Sequence, residues 1–515
     1  MKKLFLAALF VFPAAAFAQP WQLVGSRAMG MGGAGVATAY GPDAQYWNPA
    51  GLVQKENLNE SGFAITGGVS IETAKTVLSS ADKLSEMADK YKHLASAINS
   101  GDNPDAQDIE TLFEGLADLS SLNGKNLGAL INADAGVGLK IKNFAFSVRS
   151  LGNAGITPII DTTNIGLGTQ GGGTGLDIGT TTSLTGDSQT AADILAGAID
   201  DNSLLASLNT LFGTSYSSPD LANAFVSAAL SAGSSAAEIL AAAQAAAENM
   251  PSAASIINNA ASASGSYKDN ESRVMVDMGV FSEASLGYGF ALTKGLQFGA
   301  NIKVIQGEMA QTGILVLQDN EDIQDILDDA LDNKTNSTQF GVDLGAMLNF
   351  SDLFDRGIWL NPQVGVTAKN INRPRFERPN APAGLTQYWQ SGKYALEPQV
   401  RAGAAINPFK FMTLAADLDL TKNTTLARNF DSRQLAVGLE VNVVNKPKFN
   451  LPLRVGLNKN LANSEAAAYY TAGLGLNMLH FHLELAGALS SEETTIDGTK
   501  VPASAGASLM LALLF

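Results

Sequence analysis

The chain has 515 residues, with 33 basic against 49 acidic side chains and a formal net charge of −16. That balance disfavours nucleic acid as a partner. The absence of cysteine excludes a disulfide scaffold and a lipid anchor carried on an N-terminal cysteine.

Residues 1–18 read as a secretory signal. Lys2 and Lys3 form the positive start, Leu4 to Phe12 the apolar run, and Ala16-Phe17-Ala18 the cleavage box. Cleavage there leaves Gln19 first. Without Lys2 and Lys3, 31 basic residues face 49 acidic ones, a net charge of −18. No later stretch offers ~18 to 20 uninterrupted apolar residues, so no spanning helix follows. An exported chain of this kind is a periplasmic or secreted globular protein or an outer-membrane barrel.

The segment Gly25 to Leu52, GSRAMGMGGAGVATAYGPDAQYWNPAGL, is too glycine-rich for a helix and lacks strand alternation. Gly30, Gly32 and Gly35 spell G-x-G-x-x-G, with Glu56 beyond. A dinucleotide fingerprint needs a strand before it and a helix after it, and only the signal and a polar link precede Gly30. The glycines are better read as sites of close backbone approach in a confined space. Asn48 can cap a short helix, and Pro49 suits its first position.

Alternation starts after this segment. Phe63, Ile65 and Val69 oppose Thr66, Gly68 and Ser70, which predicts a strand over 62–71. In 72–132, Val77, Leu84, Tyr91 and Ile98, with Met87 and Leu94 between, predict an amphipathic helix; Ile109, Leu112, Phe113 and Leu116 predict a second. Strands return at 133–142 and 143–150. Residues 151–272 form a long insertion, Gly/Thr-rich from Gly166 to Gly179 and Ala-rich and helical from Ala191 to Ala263. Further strands are predicted at 273–291, 295–307, 338–350, 357–370, 395–407, 409–421, 433–445, 451–459, 467–477, 479–489 and 503–515. In 433–445, Leu435, Val437, Leu439, Val441 and Val443 face one way, and Gln434, Gly438, Glu440 and Asn442 the other. Several strands reach the ~9 to 11 residues that cross a bilayer at a tilt.

The total is fourteen, an even number. Short connections follow the even strands and long ones the odd, the pattern of short periplasmic turns and longer external loops. The fold class is therefore an all-β transmembrane barrel of about 14 antiparallel strands. Its expected organisation is a signal at 1–18, a lumenal plug at 19–60 and a barrel at 61–515 with helical insertions at 72–132 and 151–272. Gly136, Gly138, Gly287, Gly289, Gly299, Gly341, Gly345, Gly403, Gly438, Gly456, Gly473 and Gly475 all fall on the expected inner face. Strand glycines mark close approach of another backbone, which fits a filled lumen.

The core from Arg27 to Gly33, with Met29, Gly30, Gly32, Gly33 and Gly35, and the Asn48-Pro49-Ala50 turn together resemble the N-terminal plug of the FadL-like outer-membrane proteins. The last strand, Leu509, Leu511, Leu513 and the terminal Phe515, resembles the C-terminal signal that barrel-assembly machinery reads. The resemblance implies a monomeric barrel in the bacterial outer membrane and diffusion-driven uptake of hydrophobic small molecules. Its partners would be outer-membrane lipid, lipopolysaccharide, the assembly machinery and a hydrophobic ligand. The same N-terminal pattern, the Ala-rich insertion and the length also resemble the conjugal transfer TraF branch and PorV-type secretion partners, which implies conjugation or secretion proteins as alternative partners.

Other candidates are weaker. His480, His482 and Glu484 alternate along one strand and could share a lumenal face at metal-binding spacing, but polar groups are ordinary there. His93 falls in the first loop helix. With no G-x-S-x-G and no Ser-His-Asp arrangement, neither an enzyme nor a cofactor is expected. Asp319 to Asp332 lacks the order of a calcium loop and reads as a helix with a solvated acidic face. Arg373, Arg375 and Arg378, with Phe376, lie in a predicted external loop within reach of lipopolysaccharide phosphates.

Overall fold

The structure is a computed structural model. It describes residues 21–54, 61–74, 103–122, 127–162, 181–261, 270–315, 323–446, 448–496 and 499–515, with short pieces between 164 and 178. The signal, the predicted helix through Val77 to Ile98 with His93, Glu56, and Asp319 to Asp322 lie outside the described residues.

Fourteen strands form a closed barrel in which each pairs with its sequence neighbours, and the last closes on the first. They are β1 (Gly62–Thr73), β2 (Ala129–Ile141), β3 (Phe144–Ile159), β4 (Arg273–Ala291), β5 (Leu296–Leu315), β6 (Thr335–Asn349), β7 (Gln363–Lys369), β8 (Gln399–Phe409), β9 (Met412–Asp419), β10 (Gln434–Lys446), β11 (Phe449–Asn460), β12 (Tyr469–Met478), β13 (Phe481–Ser490) and β14 (Ala505–Leu514). All pairs are antiparallel. Closure leaves no free edge, so every strand finds its main-chain partners without water, as a bilayer demands.

The two-residue period sets the faces. Leu435, Val437 and Val443 are exposed, whereas Gln434, Ala436 and Glu440 are buried against the lumen contents. At the short-turn end the outward rings gather: Phe144 lies 4.6 Å from Tyr288, Phe290 5.8 Å from Phe298, and Phe409 5.3 Å from Phe411. Such a belt is expected where a barrel wall meets the membrane interface.

Several predicted bounds differ from those observed. β5 runs on to Leu315, and β6 starts at Thr335. The predicted strand 357–370 keeps only Gln363–Lys369, because Leu360 and Asn361 take positive φ values of 70° and 41° and turn the chain. The turn from β6 to β7 is therefore longer than its counterparts and contains a short helix, Phe350–Leu353. The wall is uneven: β4 and β5 have 19 and 20 residues, and β7 and β9 only 7 and 8.

Beyond the long-loop end, α3 (Ala106–Leu122), α4 (Asp187–Ala198), α5 (Asn202–Phe212), α6 (Ser218–Ser231) and α7 (Ala236–Ala261) share one apolar core. Phe225 lies at its centre, edge-on to Phe212 at 4.9 Å and to Phe113 at 6.2 Å. The predicted stripe Ile109, Leu112, Phe113 and Leu116 is the buried face of α3. Helix α8 (Ile323–Asp332) sets Ile326 and Ala330 against the outside of the wall, in a cluster with Ile131, Ile156 and Met278. Its acidic residues Asp328 and Asp329 stay exposed.

Candidate functional site: the lumenal segment

Residues 21–54 lie inside the barrel and touch strands around the ring. The segment contains a short helix, α1 (Ser26–Gly30), a second, α2 (Ala44–Trp47), and a 3-10 turn, Pro49–Val53. Gly32 has φ 69°, closed to most side chains, and lets the chain reverse directly after α1. Its carbonyl accepts from Asn458 Nδ2 at 2.7 Å, and its N–H donates to Thr471 Oγ1 at 2.9 Å. Met31 then lies flat on β10: a Cβ at Gly438 would sit 2.5 Å from Met31 Cβ. Met29 and Met31 are buried, and Ala34, Ala37, Ala405, Ala415 and Ala436 complete the contact around Met31.

Polar tethers fix the rest. Gly35 and Val36 both donate their N–H to Asp417 Oδ2 at 2.8 Å, so one wall carboxylate holds two neighbouring amides. Gly33 takes φ 98°, and its carbonyl accepts from Arg401 Nη1 at 3.4 Å. Asn48 Oδ1 accepts from Ala50 N at 3.1 Å and starts the turn, while its Nδ2 donates to Val36 O and Ala346 O, both at 3.1 Å. Asn48 therefore joins its own turn, the glycine run and strand β6. Pro49 and Ala50 are buried where the turn meets the wall.

Arg27 is the main charged contact. Its Nε lies 2.9 Å from Glu440 Oε2, its Nη2 3.2 Å from Oε1, and its Nη1 donates to Thr38 O at 2.9 Å. Burial works against the Arg27 guanidinium, but Glu440 outweighs it and holds the group more firmly protonated than usual. Arg454 extends the network, with Nε 2.6 Å from Glu440 and a two-pronged contact to Glu484 at 3.0 Å. Across the lumen Arg149 meets Asp43 at 3.0 Å and Asp134 at 3.7 Å. Burial pushes the Asp43 carboxyl up from its ordinary value, against the pull of Arg149.

An aromatic trio anchors the other side. Trp21, Tyr46 and Trp47 pack at centroid distances of 5.6 to 6.5 Å. Two wall cations clamp them: Lys369 Nζ lies 4.1 Å from the Trp21 ring centroid, and the Arg401 guanidinium 4.6 Å from it. Arg401 is itself held by Asp419 at 2.5 Å.

A cavity of about 60 Å³ remains between Val24, Ala28 and Trp47 of the segment and Met510, Ala512 and Leu514 of β14, edged by Arg27 and Glu484. An apolar cavity that holds benzene needs about 150 Å³, so this one admits water-sized occupants only.

The predicted site residues Arg27, Met29, Gly30, Gly32, Gly33, Gly35, Asn48, Pro49 and Ala50 are all placed in this one lumenal segment. Phe515 stands apart at the short-turn rim, 60% exposed, and its main chain pairs with Ser61 at 2.8 and 2.9 Å. The shared face predicted for His480, His482 and Glu484 does not form. His482 and Glu484 point inward and are buried, but Leu479 at φ 52° turns His480 onto the exposed rim, its Nδ1 2.6 Å from Leu514 O. Glu484 is taken by Arg454. Among the described residues no cluster of three His, Asp or Glu could hold a metal ion. In the loop that carries Arg373, Arg375 and Arg378, Arg373 pairs with Glu397, Arg378 contacts Gln390, and Phe376 is buried.

Sequence reasoning missed most of the wall's contribution, namely Asp417, Arg401, Arg454 and Lys369. Their signal was a charge on the inward face of a strand, within it for Arg401, Asp417 and Arg454 and at its end for Lys369.

Residues 176–419 match the family model described as F plasmid transfer operon, TraF, protein. The matched span takes in helices α4 to α7 and strands β4 to β9, and it excludes the lumenal segment. No curated protein matches the chain. Solved structures with a similar course include the Ralstonia pickettii toluene transporter TbuX, at 11% identity and a TM-score of 0.43 over 95% of this chain and 98% of that one. The Pseudomonas putida toluene transporter TodX gives 10% and 0.41 over 95% and 98%. A Pseudomonas aeruginosa FadL homologue gives 9% and 0.39 over 97% and 99%.

Proposed function

We propose that the chain is an exported outer-membrane channel for small hydrophobic molecules, closed at rest by residues 25–52 and opened when that segment shifts. The supporting observation is how the segment is held. Its tethers are ion pairs and side-chain-to-backbone hydrogen bonds, with Asp417, Glu440 and Asn458 as wall partners. Water can replace such bonds at a net cost of about 0.5 to 1.5 kcal/mol each, or about 1.5 to 3 kcal/mol where a charge takes part, so the polar part of the segment's attachment can be exchanged for hydration. The apolar side of the cavity at Val24, Trp47 and Leu514 marks where a hydrophobic guest would pass.

Deleting residues 25–52 tests this reading. The strands still close, because their pairing does not need the segment. The deletion should give a heat-modifiable barrel with raised conductance in planar bilayers and altered uptake of a long-chain fatty acid. Unchanged conductance would refute the plug.

A second reading, a conjugation or secretion component, is favoured by the matched span over 176–419 and by the four helices, α4 to α7, that it gives to the separate helical core. Raised conductance with unchanged hydrophobic uptake supports that alternative. So does loss of mating or secretion when 185–262 is replaced by a short linker. In either reading we assign Phe515 to recognition by the assembly machinery. Phe515→Asp should reduce the heat-modifiable form in the outer membrane, and normal assembly of that variant would sink the assignment.

A further inference from the structure

The lumen is also closed at its long-loop end. Residues 420–433, between β9 and β10, form a strap pinned at its base by paired main-chain hydrogen bonds between Asn423 and Ser432, both 2.8 Å. Thr425 Oγ1, 3.0 Å from Ala427 O, stiffens the tip. The tip crosses to the far side of the ring, to β3, six strands from β9. There Arg428 N donates to Thr157 Oγ1 at 2.7 Å, and Leu426 is buried with Phe281 and Phe376. Phe430 is buried beside Leu130.

A second loop, between β7 and β8, reaches the same place. Its Phe376 stands edge-on to Phe281 at 4.6 Å, and its Tyr388 carbonyl accepts from Arg428 Nη1. The two loops meet on one wall carboxylate. Asp277 of β4 lies 3.1 Å from Arg428 Nε and 3.9 Å from Arg378 Nη1, and it also accepts from Gln311 Nε2. Its side chain is 3% exposed, and those of the two arginines 13% and 12%. Without that charge, two guanidiniums would face each other in a poorly hydrated place.

We propose that Asp277 is a single latch holding the strap and the neighbouring loop across the outer mouth, so that loss of its charge opens the entrance. The latch regulates the entrance of the channel proposed above, but its test reads access rather than transport, so the two readings fail separately.

The chain has no cysteine, so one introduced thiol reports cleanly. Leu426→Cys places it at the buried tip, and Trp359→Cys on the open rim, where Trp359 is 84% exposed. Purified, heat-modifiable protein is treated with a charged maleimide. Leu426→Cys alone should react slowly, and Asp277→Asn should speed it at least tenfold without changing the rate at Trp359→Cys. An unchanged Leu426→Cys rate in the Asp277→Asn background overturns the latch. So does a Leu426→Cys rate equal to that at Trp359→Cys with Asp277 intact. Should Asp277→Asn fail to assemble, Arg428→Gln with Arg378→Gln carries the test, since both changes lie in loops. The same rise supports the latch, and continued protection overturns it.

Discussion

The lumenal segment and the helical domain are both made of small residues, yet opposite physics holds them. In the lumen, glycine brings backbone against backbone, and beside the Trp21, Tyr46 and Trp47 anchor the fixing contacts are charged or polar: Arg27 with Glu440, Asp417 with two amides, Asn458 with Gly32. In the helical domain, alanine lets helices approach, and Leu, Ile and Phe fill the space between them. One region depends on matched partners and the other on buried area. The segment should therefore respond to lost charges, and the domain to lost volume.

The sharpest test of that contrast is Arg454→Met. It takes from Glu484 its two-pronged partner and leaves Glu440 with Arg27 of its two arginines. Stranding a buried charge costs about 3 to 5 kcal/mol. The change should lower the urea midpoint of the barrel and raise its conductance; an unchanged midpoint would show that these pairs carry little. On the other side, Phe225→Ala should remove about 3 to 5 kcal/mol from the helical core. Protease should then cut within 185–262 while the barrel stays heat-modifiable. Barrel loss in the same variant would mean that the two regions fold as one.

Two neighbouring residues on β10 sharpen the comparison within the wall. Leu439→Arg places a charge toward lipid and should cost about 2 to 4 kcal/mol near the midplane, measured as lost membrane insertion. Gly438→Ala presses a methyl group into Met31 and should cost about 1 to 3 kcal/mol by overpacking. Its mark should be higher conductance with insertion intact. Equal phenotypes at the two positions would refute the facing.

The smallest effect belongs to the helical domain's own charge. Asp201 accepts from Ser203 Oγ at 2.5 Å and caps α5 by accepting from Leu204 N and Ser203 N at 3.0 and 2.9 Å, and these bonds, the hydroxyl's first, hold its carboxyl below the ordinary value. A depressed carboxylate stabilises the fold above its unfolded pKa and loses that contribution as pH falls through the lower folded value. Helical signal at acid pH should thus fall slightly earlier in wild type than in Asp201→Asn, which keeps the cap without the titration.

Much of the wall was legible because a strand with lipid on one side and a filled lumen on the other must alternate. Leu435 to Val443 shows this directly, and all fourteen predicted strands overlap observed ones. The run of inner-face glycines pointed to a second backbone in the lumen, and Gly438 and Gly473 meet Met31 and Gly30 there. The tethers were not legible. Asp417 and Arg401 are distant in sequence from Gly35 and Trp21, and only closure of the ring brings them together. Local pattern also misread His480, because a two-residue period cannot show that Leu479 has already turned the chain. The strap was hidden for the same reason: residues 420–433 look like any polar loop until their far contacts are known.

The uneven wall has a consequence of its own. A strand gains about 3.3 Å per residue, and about 9 to 11 residues cross the bilayer at a tilt. β4 and β5, with 19 and 20 residues, therefore stand well clear of the lipid, while β7 and β9, two and four strands further round the ring, end near it. The raised flank acts as a parapet whose outer face is dressed by α8 rather than by acyl chains. The rim is thereby slanted and gives the molecule a front and a back. Whatever approaches in the plane of this rim meets a high wall over one stretch of the ring and a low sill a few strands further round.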